Sequence, residues 1–224
     1  MIPLRDTVRS RSTPFVNYTL IAVNLVIFVY EVTLPGEWFR RFVLGYGLVP
    51  AQLTLQHPLA YLTLVSSAFL HGSWLHVLSN MWVLFIFGDN VEDRMGHGRY
   101  LAFYLLSGVA AGLVQAGFAA HSSVPTIGAS GAIAGVLAAY LLFYPSGRVL
   151  TLIPLFIFPW LMEIPAFVFL GIWFLLQLWS GVMALGQLGS TQVSGIAWWA
   201  HVGGFAFGLL AAWAFARRRQ GLLV

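Results

Sequence analysis

The chain has 224 residues, of which 59% are hydrophobic and only 8% are charged. An ordinary soluble domain is about 25% charged, so this composition excludes a soluble protein and indicates a single polytopic membrane domain. The net charge of +4 comes from eleven arginines with no lysine. They lie mainly at the ends of apolar segments, which indicates membrane topology rather than nucleic-acid binding. The chain has no cysteine, which excludes disulfides, thiolate catalysis and cysteine-based metal sites.

The first part of the chain combines a basic tail, one apolar helix and a long loop. Residues 1–14 are predicted to be a cytoplasmic tail, and residues 15–32 to be a first membrane helix. Asn17 and Asn24 lie seven residues apart on one face and are expected to point into the bundle. Residues 33–72 are interrupted by prolines and glycines but rich in aromatic residues. They predict a structured segment in the membrane interface, with either a direct role or that of an ordered connector.

Five further helices are predicted, over residues 74–91, 100–119, 130–144, 166–185 and 196–216. A charged turn follows the second helix, where Glu92 is expected to cap or to pair with Arg94 or Arg99. Prolines divide residues 149–163 from the fifth helix, so this stretch is predicted to be interfacial or re-entrant. An outer loop is expected over 186–195.

With the N-terminus inside, six helices also place the C-terminal tail, residues 217–224, inside. Three arginines of the first tail, two after helix 2, one after helix 4 and three at the C-terminus then lie on the inner side. Only Arg40 and Arg41 lie outside. This distribution agrees with the positive-inside rule. It predicts a multi-pass protein with both termini cytoplasmic and a single membrane domain over residues 15–216.

Two helix faces made of small residues are expected to bring the candidate catalytic residues together. Gly131 and Gly135 form a GxxxG face on helix 4, and Ala200, Gly204 and Gly208 form a similar face on helix 6. Helices with such faces pack closely in lipid. This packing is expected to bring Ser130 and His201 within hydrogen-bond reach. A serine hydroxyl needs a base to become a nucleophile, and histidine is the usual base at neutral pH. The two residues therefore predict a serine–histidine dyad.

Further polar residues at the start of helix 2 complete the predicted site. His76 and Asn80 share one helix face and are expected at the depth of Ser130, where they and the Ser130 N–H can stabilise an oxyanion. His71 is expected to line a cavity or to be structural. His71 and His76 are five residues apart without a third ligand, so no metal site is predicted. No carboxylate lies at this depth, so the orientation of His201 is expected to be set by packing.

Three segments, Gly128 to Gly131, His71 to Met81 and Ala200 to Gly204, resemble the three signature motifs of the rhomboid intramembrane serine proteases. The resemblance covers Phe15 to Ala216. It implies an all-α, six-helix rhomboid bundle with an interfacial first loop, in which Ser130 is the nucleophile and His201 the base. Oxyanion roles for His76, Asn80 and the Ser130 amide are also implied, and Gly128, Gly131 and Gly204 support the site. Substrates would be membrane proteins whose transmembrane helices unwind near small or helix-breaking residues. The family needs no metal or cofactor.

The chain departs from some members of that family at two places. Ala134 stands where some members carry an aromatic residue that stacks on the catalytic histidine. Trp38 and Arg40 are separated by Phe39, so the role of a Trp-Arg pair found in the first loop of some members is not transferred. Trp173 and Gln177 share a face of helix 5, which either borders a substrate entry or packs in the bundle. Trp198 and Trp199 are predicted interfacial anchors.

Two other classes of protein remain as alternatives. A non-catalytic rhomboid-like protein would bind and retain or route membrane clients, but such proteins usually lack the serine or the histidine. A channel or transporter would carry intramembrane charges along a path and an internal repeat, whereas the charges here lie at segment ends. The short basic tail predicts a prokaryotic plasma membrane.

Overall fold

The structure, a computed structural model, describes residues 1–155, 158–185 and 197–217. The predicted outer loop 186–195, the first residue of the predicted sixth helix and all but the first residue of the C-terminal tail lie outside these ranges. Eight helices and three strands occur in this part of the chain. The helices are α1 (Phe15–Thr33), α2 (Gly36–Tyr46), α3 (Thr63–Ser66), α4 (Trp74–Met95), α5 (His97–Phe118), α6 (Ser130–Phe143), α7 (Ala166–Leu185) and α8 (Trp198–Phe215). The strands are β1 (Ile2–Asp6), β2 (Arg148–Leu155) and β3 (Phe158–Pro165).

Helix α6 lies at the centre of the bundle. Every residue from Gly131 to Tyr140 is buried, so α6 is covered by protein on all sides. Its closest neighbour is α8, because a Cβ at Gly204 would overlap the carbonyl oxygen of Gly131 and one at Gly208 would overlap that of Gly135. Only glycine allows this backbone approach. The predicted packing of the two small-residue faces is confirmed.

Four helices among the described residues are long and apolar enough to cross a membrane, namely α1, α5, α7 and α8. A fifth span arises if the segment Pro58–Phe69 and α4, which meet at 82°, are counted together. The predicted six is not reached because α6 has only 14 residues, about 21 Å of helix. A helix buried on all sides has no lipid to match, so its length need not equal the hydrocarbon thickness.

The first loop is structured, as predicted. It contains the amphipathic helix α2, the short helix α3 and 3-10 turns at Pro50–Gln52, Pro58–Leu62 and Ser67–Phe69. Proline at the first position of two of these turns suits a helical start, where its missing N–H costs no hydrogen bond. An isolated antiparallel β-bridge between Leu48 and Thr126 connects this first loop to the segment between α5 and α6.

A three-stranded antiparallel sheet, in the order β1-β2-β3, adds to the predicted helices. In the stretch 149–163, expected to be interfacial or re-entrant, the described residues belong to β2 and β3, which pair antiparallel. Part of the predicted tail over residues 1–14 is ordered on the bundle, because Ile2 to Asp6 pair with Val149 to Leu152. Pro154 and Pro159 face each other near the end of β2 and the start of β3, where a missing N–H costs the ladder little. The same prolines prevent a helix here.

Helix α4 continues to Met95, so the start of the charged turn predicted after residue 91 is helical. Glu92 is fully buried in it and accepts hydrogen bonds from the backbone N–H groups of Val16 (3.0 Å) and Asn17 (2.7 Å). These are free N–H groups in the first turn of α1, which attract a negative charge. Glu92 also contacts Nδ1 of His97 at 2.5 Å. The expected structural role is confirmed, but its partners are α1 and His97 rather than an arginine.

The two asparagines of α1 are both buried, as predicted. Asn17 donates to the carbonyl oxygen of Leu84 at 3.0 Å and accepts from the Tyr100 hydroxyl at 2.7 Å. Asn24 donates to the carbonyl oxygen of Leu20 within α1 at 2.8 Å. Asn17 therefore ties α1 to α4 and α5.

Candidate active site

Ser130 is the first residue of α6 and is half-buried. The chain enters this helix through Gly128, whose φ of +124° is rarely adopted by other residues. A Cβ at Gly128 would also lie only 2.7 Å from the His76 ring. The Gly128 N–H donates to the carbonyl oxygen of Ser67 at 2.9 Å. Glycine at this position therefore allows both the turn into α6 and the close approach of His76.

His201 lies in the first turn of α8, opposite the start of α6. Its Nε2 is 2.7 Å from the Ser130 hydroxyl oxygen, so the two residues expected to form a dyad are in hydrogen-bond contact. The contact depends on two glycines, because Gly131, next to Ser130, and Gly204, one turn after His201, bring the two backbones together. A Cβ at Gly131 would meet the Ala111 Cβ at 2.6 Å, so α5 also packs closely against this part of α6.

The other nitrogen of the His201 ring also has a partner. Nδ1 is 2.7 Å from the side-chain oxygen of Gln177 on α7. The expectation that packing alone orients this ring is wrong, because a buried amide holds it from behind. The sequence indicated that Gln177 needs a partner but not which one: it is the one amide in a helix whose other side chains are almost all apolar, and a buried amide requires a hydrogen-bond partner.

Aromatic rings complete the surroundings of His201. Trp173 lies with its ring centroid 6.0 Å from the imidazole at 37°, and Trp198 lies at 6.2 Å, nearly perpendicular to it. Ala134, the position where some rhomboids carry an aromatic residue, is fully buried. Aromatic contact with the histidine is therefore provided here by α7 and by α8 itself.

The polar residues at the start of α4 lie beside the entrance to α6. His71 is fully buried, and its Nε2 is 3.0 Å from the Asn80 side-chain nitrogen. The half-buried His76 packs its ring edge-on against the ring of His71, with centroids 4.9 Å apart. Asn80 would lie 3.8 Å from a Cβ on Gly128. His76 and Asn80 thus both border the residues that lead into Ser130.

His71 is tied to two further segments. Its backbone N–H donates to the buried carboxylate of Glu31 on α1 at 3.1 Å. The Ala129 N–H points towards its Nε2 at 3.5 Å. Of the two roles expected for His71, this network of contacts favours the structural one.

The start of α8 is held against α5. The Ala200 N–H donates to the side-chain oxygen of Gln115 at 3.2 Å, and Trp199 stacks on Phe118 with a centroid separation of 3.8 Å. Trp199, predicted to be an interfacial anchor, thus packs on a protein neighbour. These contacts fix the helix turn that carries His201.

Comparison with known proteins agrees with the motif resemblance. The family model of the rhomboid domain matches residues 58–218. Rhomboid protein 1, mitochondrial, of Saccharomyces cerevisiae is 27% identical over 208 residues, which cover 89% of this chain and 53% of the yeast protein. The human presenilin-associated rhomboid-like protein, mitochondrial, is 33% identical over 144 residues, 62% of this chain and 36% of that protein.

A third relative, RHOMBOID-like protein 5 of Arabidopsis thaliana, is 37% identical over 78 residues, 35% of this chain and 25% of that protein. The chain thus spans about half, or less, of the length of these relatives. The names of the yeast and human proteins place them in mitochondria, which conflicts with the expected prokaryotic plasma membrane. The family match over most of the chain leads to one conclusion: this multi-pass membrane protein belongs to the rhomboid family.

Proposed function

We propose that this protein is an intramembrane serine endopeptidase that cleaves transmembrane helices of membrane-protein substrates. The observation that carries the proposal is the 2.7 Å contact between Nε2 of His201 and the hydroxyl oxygen of Ser130. This distance lies within the range for a nucleophile and its general base. Both residues stand at the positions that match the family motifs, which adds support.

In the proposed reaction, the Ser130 oxygen attacks the scissile carbonyl carbon while His201 Nε2 takes the hydroxyl proton. The tetrahedral intermediate collapses as the imidazolium returns that proton to the leaving amine, which breaks the peptide bond and leaves an acyl-enzyme. A water molecule then attacks the ester, with His201 again accepting a proton. The second product leaves as the acid, and Ser130 recovers its proton.

The negative oxygen of the intermediate needs donors that are already in place. The backbone N–H of Ser130 is suited to this role, because the first N–H groups of a helix have no partner within it and the helix dipole is positive there. The side chains of His76 and Asn80 are the further donors that we propose. Their support is geometric: both border Gly128, two residues before the nucleophile.

Substrates are proposed to be single-span or multi-span membrane proteins. A peptide bond in a regular helix has its carbonyl oxygen hydrogen-bonded and shielded, so the substrate helix must unwind before Ser130 can attack. Small or helix-breaking residues near the cleavage site make this unwinding easier. In the predicted topology α6 runs from the outer side inward, so cleavage is expected near the outer end of the substrate helix.

The test is cleavage of a single-span reporter by the purified protein in liposomes, with Ser130→Ala and His201→Ala as variants. Wild type is expected to cut near the outer end of the reporter, and each variant to lose at least about 10³-fold in rate. A fluorophosphonate probe should label wild type and not Ser130→Ala. Cleavage that survives Ser130→Ala overturns the mechanism. A wild type that neither cuts nor reacts with the probe, yet retains the reporter in pull-down, indicates a client-binding protein instead.

A further inference from the structure

We infer that Gln177 is a positioning residue that fixes the tautomer of His201. The inference rests on the proposed roles of Ser130 and His201 and adds a third residue, on a separate helix, to their arrangement. It follows from the 2.7 Å contact between the Gln177 side-chain oxygen and Nδ1 of His201.

The chemistry of the contact determines where the imidazole proton lies. A neutral imidazole carries one N–H, and an amide oxygen can only accept a hydrogen bond. The proton facing Gln177 is therefore on Nδ1. The lone pair of the ring is then on Nε2, which faces the Ser130 hydroxyl at 2.7 Å. This is the tautomer that can accept the serine proton.

The opposite tautomer cannot act as the base, because Nε2 would already carry a proton. The two rings that pack against the imidazole, those of Trp173 and Trp198, do not select between the tautomers by hydrogen bonding. Their indole N–H groups are donors only and have no acceptor to offer Nδ1–H. An acceptor behind the ring, as a carboxylate provides in serine–histidine–aspartate triads, sets both tautomer and orientation. Here an uncharged amide occupies that position.

The setting of Gln177 makes the contact specific. The side chain is buried, with 9% of its surface exposed, and it projects from a helix whose other side chains are almost all apolar. An amide in such surroundings is costly unless it is hydrogen-bonded. Since the partner is the ring that touches Ser130, the amide links α7 directly to the dyad on α6 and α8.

Two substitutions separate the hydrogen bond from the volume of the side chain. Gln177→Met keeps length and flexibility but offers Nδ1–H no comparable acceptor, whereas Gln177→Glu keeps an acceptor oxygen whether or not it is protonated. Reporter cleavage in liposomes gives kcat and KM. We expect Gln177→Met to lower kcat by about tenfold, which is about 1.4 kcal/mol, with KM unchanged. Gln177→Glu should retain most of the wild-type kcat.

A spectroscopic measurement reads the tautomer without any turnover. In ¹⁵N spectra of histidine-labelled protein, with the His201 signals assigned by comparison with His201→Gln, wild type should show a protonated Nδ1 and a bare Nε2. Gln177→Met should shift this pattern towards a mixture of tautomers. A wild type with the proton on Nε2 overturns the inference. So does a Gln177→Met variant with unchanged spectrum and unchanged kcat.

Gln115→Met is the matched control, because Gln115 holds the backbone of the same turn of α8 without contacting the imidazole. It should leave the His201 spectrum unchanged. An equal loss of kcat in Gln115→Met and Gln177→Met, with neither spectrum altered, would assign the loss to loosening of α8 and overturn the inference. If wild type has no protease activity, the proposed function fails, and the ¹⁵N spectra alone still decide whether Gln177 holds the Nδ1–H tautomer.

Discussion

The two ends of the bundle are built in different ways. At the sheet end, formed by β1 to β3 and the last turns of α4 and α6, charged and polar groups are buried in hydrogen bonds between distant segments. At the site end, formed by the first turns of α4, α6 and α8, Ser130 and His201 are only half-buried. Their geometry depends on backbone contact between glycines. One end therefore supplies stability through polar anchors, while the other positions Ser130 and His201 through close helix packing.

The sheet end is connected through two acids, the fully buried Glu92 and the half-buried Asp6. Glu92 caps α1, as described above, and Asp6 of β1 accepts hydrogen bonds from the Tyr140 hydroxyl at 2.6 Å and the Asn90 side-chain nitrogen at 2.9 Å. The N-terminal strand is thereby attached to both α4 and α6. The Trp82 ring nitrogen also donates to the backbone of Pro3 at 2.7 Å.

The largest effect is expected for Gly204→Ala, at the glycine contact of the site end. The added methyl would overlap the Gly131 carbonyl oxygen and lie 2.9 Å from its carbonyl carbon, so α6 and α8 must separate. A displacement of about 1 Å between Ser130 and His201 is expected to lower kcat by about 10²-fold. Gly171→Ala on α7 is the matched control, because nothing lies within 4 Å of its added Cβ. Full activity in Gly204→Ala would contradict the role assigned to this contact.

The next effect in size concerns stability at the sheet end. Glu92→Gln replaces a buried carboxylate that accepts from two N–H groups of α1. Loss of these charge-assisted hydrogen bonds should lower the free energy of unfolding by about 2 kcal/mol, while cleavage at low temperature remains near wild type. Unfolding in mixed micelles measures the first and the liposome assay the second. Asp93→Asn, at a half-buried acid that accepts from Ser12, should cost less. If Glu92→Gln lost cleavage activity while its free energy of unfolding stayed near that of wild type, the division between the two ends would be contradicted.

The smallest expected effect is a pH dependence of the attachment of β1. Burial raises the pKa of Asp6 to about 6, and the charge of Asp89 adds to this increase, against a lowering by the Tyr140 hydrogen bond. A raised carboxyl pKa means that the protonated form favours the folded state. The contribution of Asp6 to the stability of the folded state is therefore complete below about pH 4 and is lost as pH rises through about 6. After screening by solvent it amounts to about 1 kcal/mol.

Hydrogen exchange of the β1 amides provides the measurement. Exchange should be slower at pH 5 than at pH 7 after correction for the intrinsic rates. Asp6→Asn, which stays uncharged and keeps an oxygen for Tyr140 and Asn90, should remove the difference. Equal protection of wild type at both pH values would contradict the prediction.

The helices and the residues of the candidate site were accessible from sequence because both depend on local patterns. An apolar run of about 20 residues needs a helix in lipid whatever surrounds it, so α7 was predicted with its observed ends. Matching glycine faces also predicted the contact of α6 with α8, because only small residues allow such an approach. The pairing of Ser130 with His201 followed from that contact.

The contacts between segments far apart in sequence could be read only from the folded molecule. Residues 2–6 pair with residues 149–152, Glu92 caps α1, and Gln177 accepts from His201. None of these residues carries a local sign of its partner, because a hydrogen bond across the bundle depends on the relative depth and rotation of two helices or strands. The amino-acid pattern alone indicates which polar residues lie in apolar surroundings. The packing of the whole chain decided which group each of them meets.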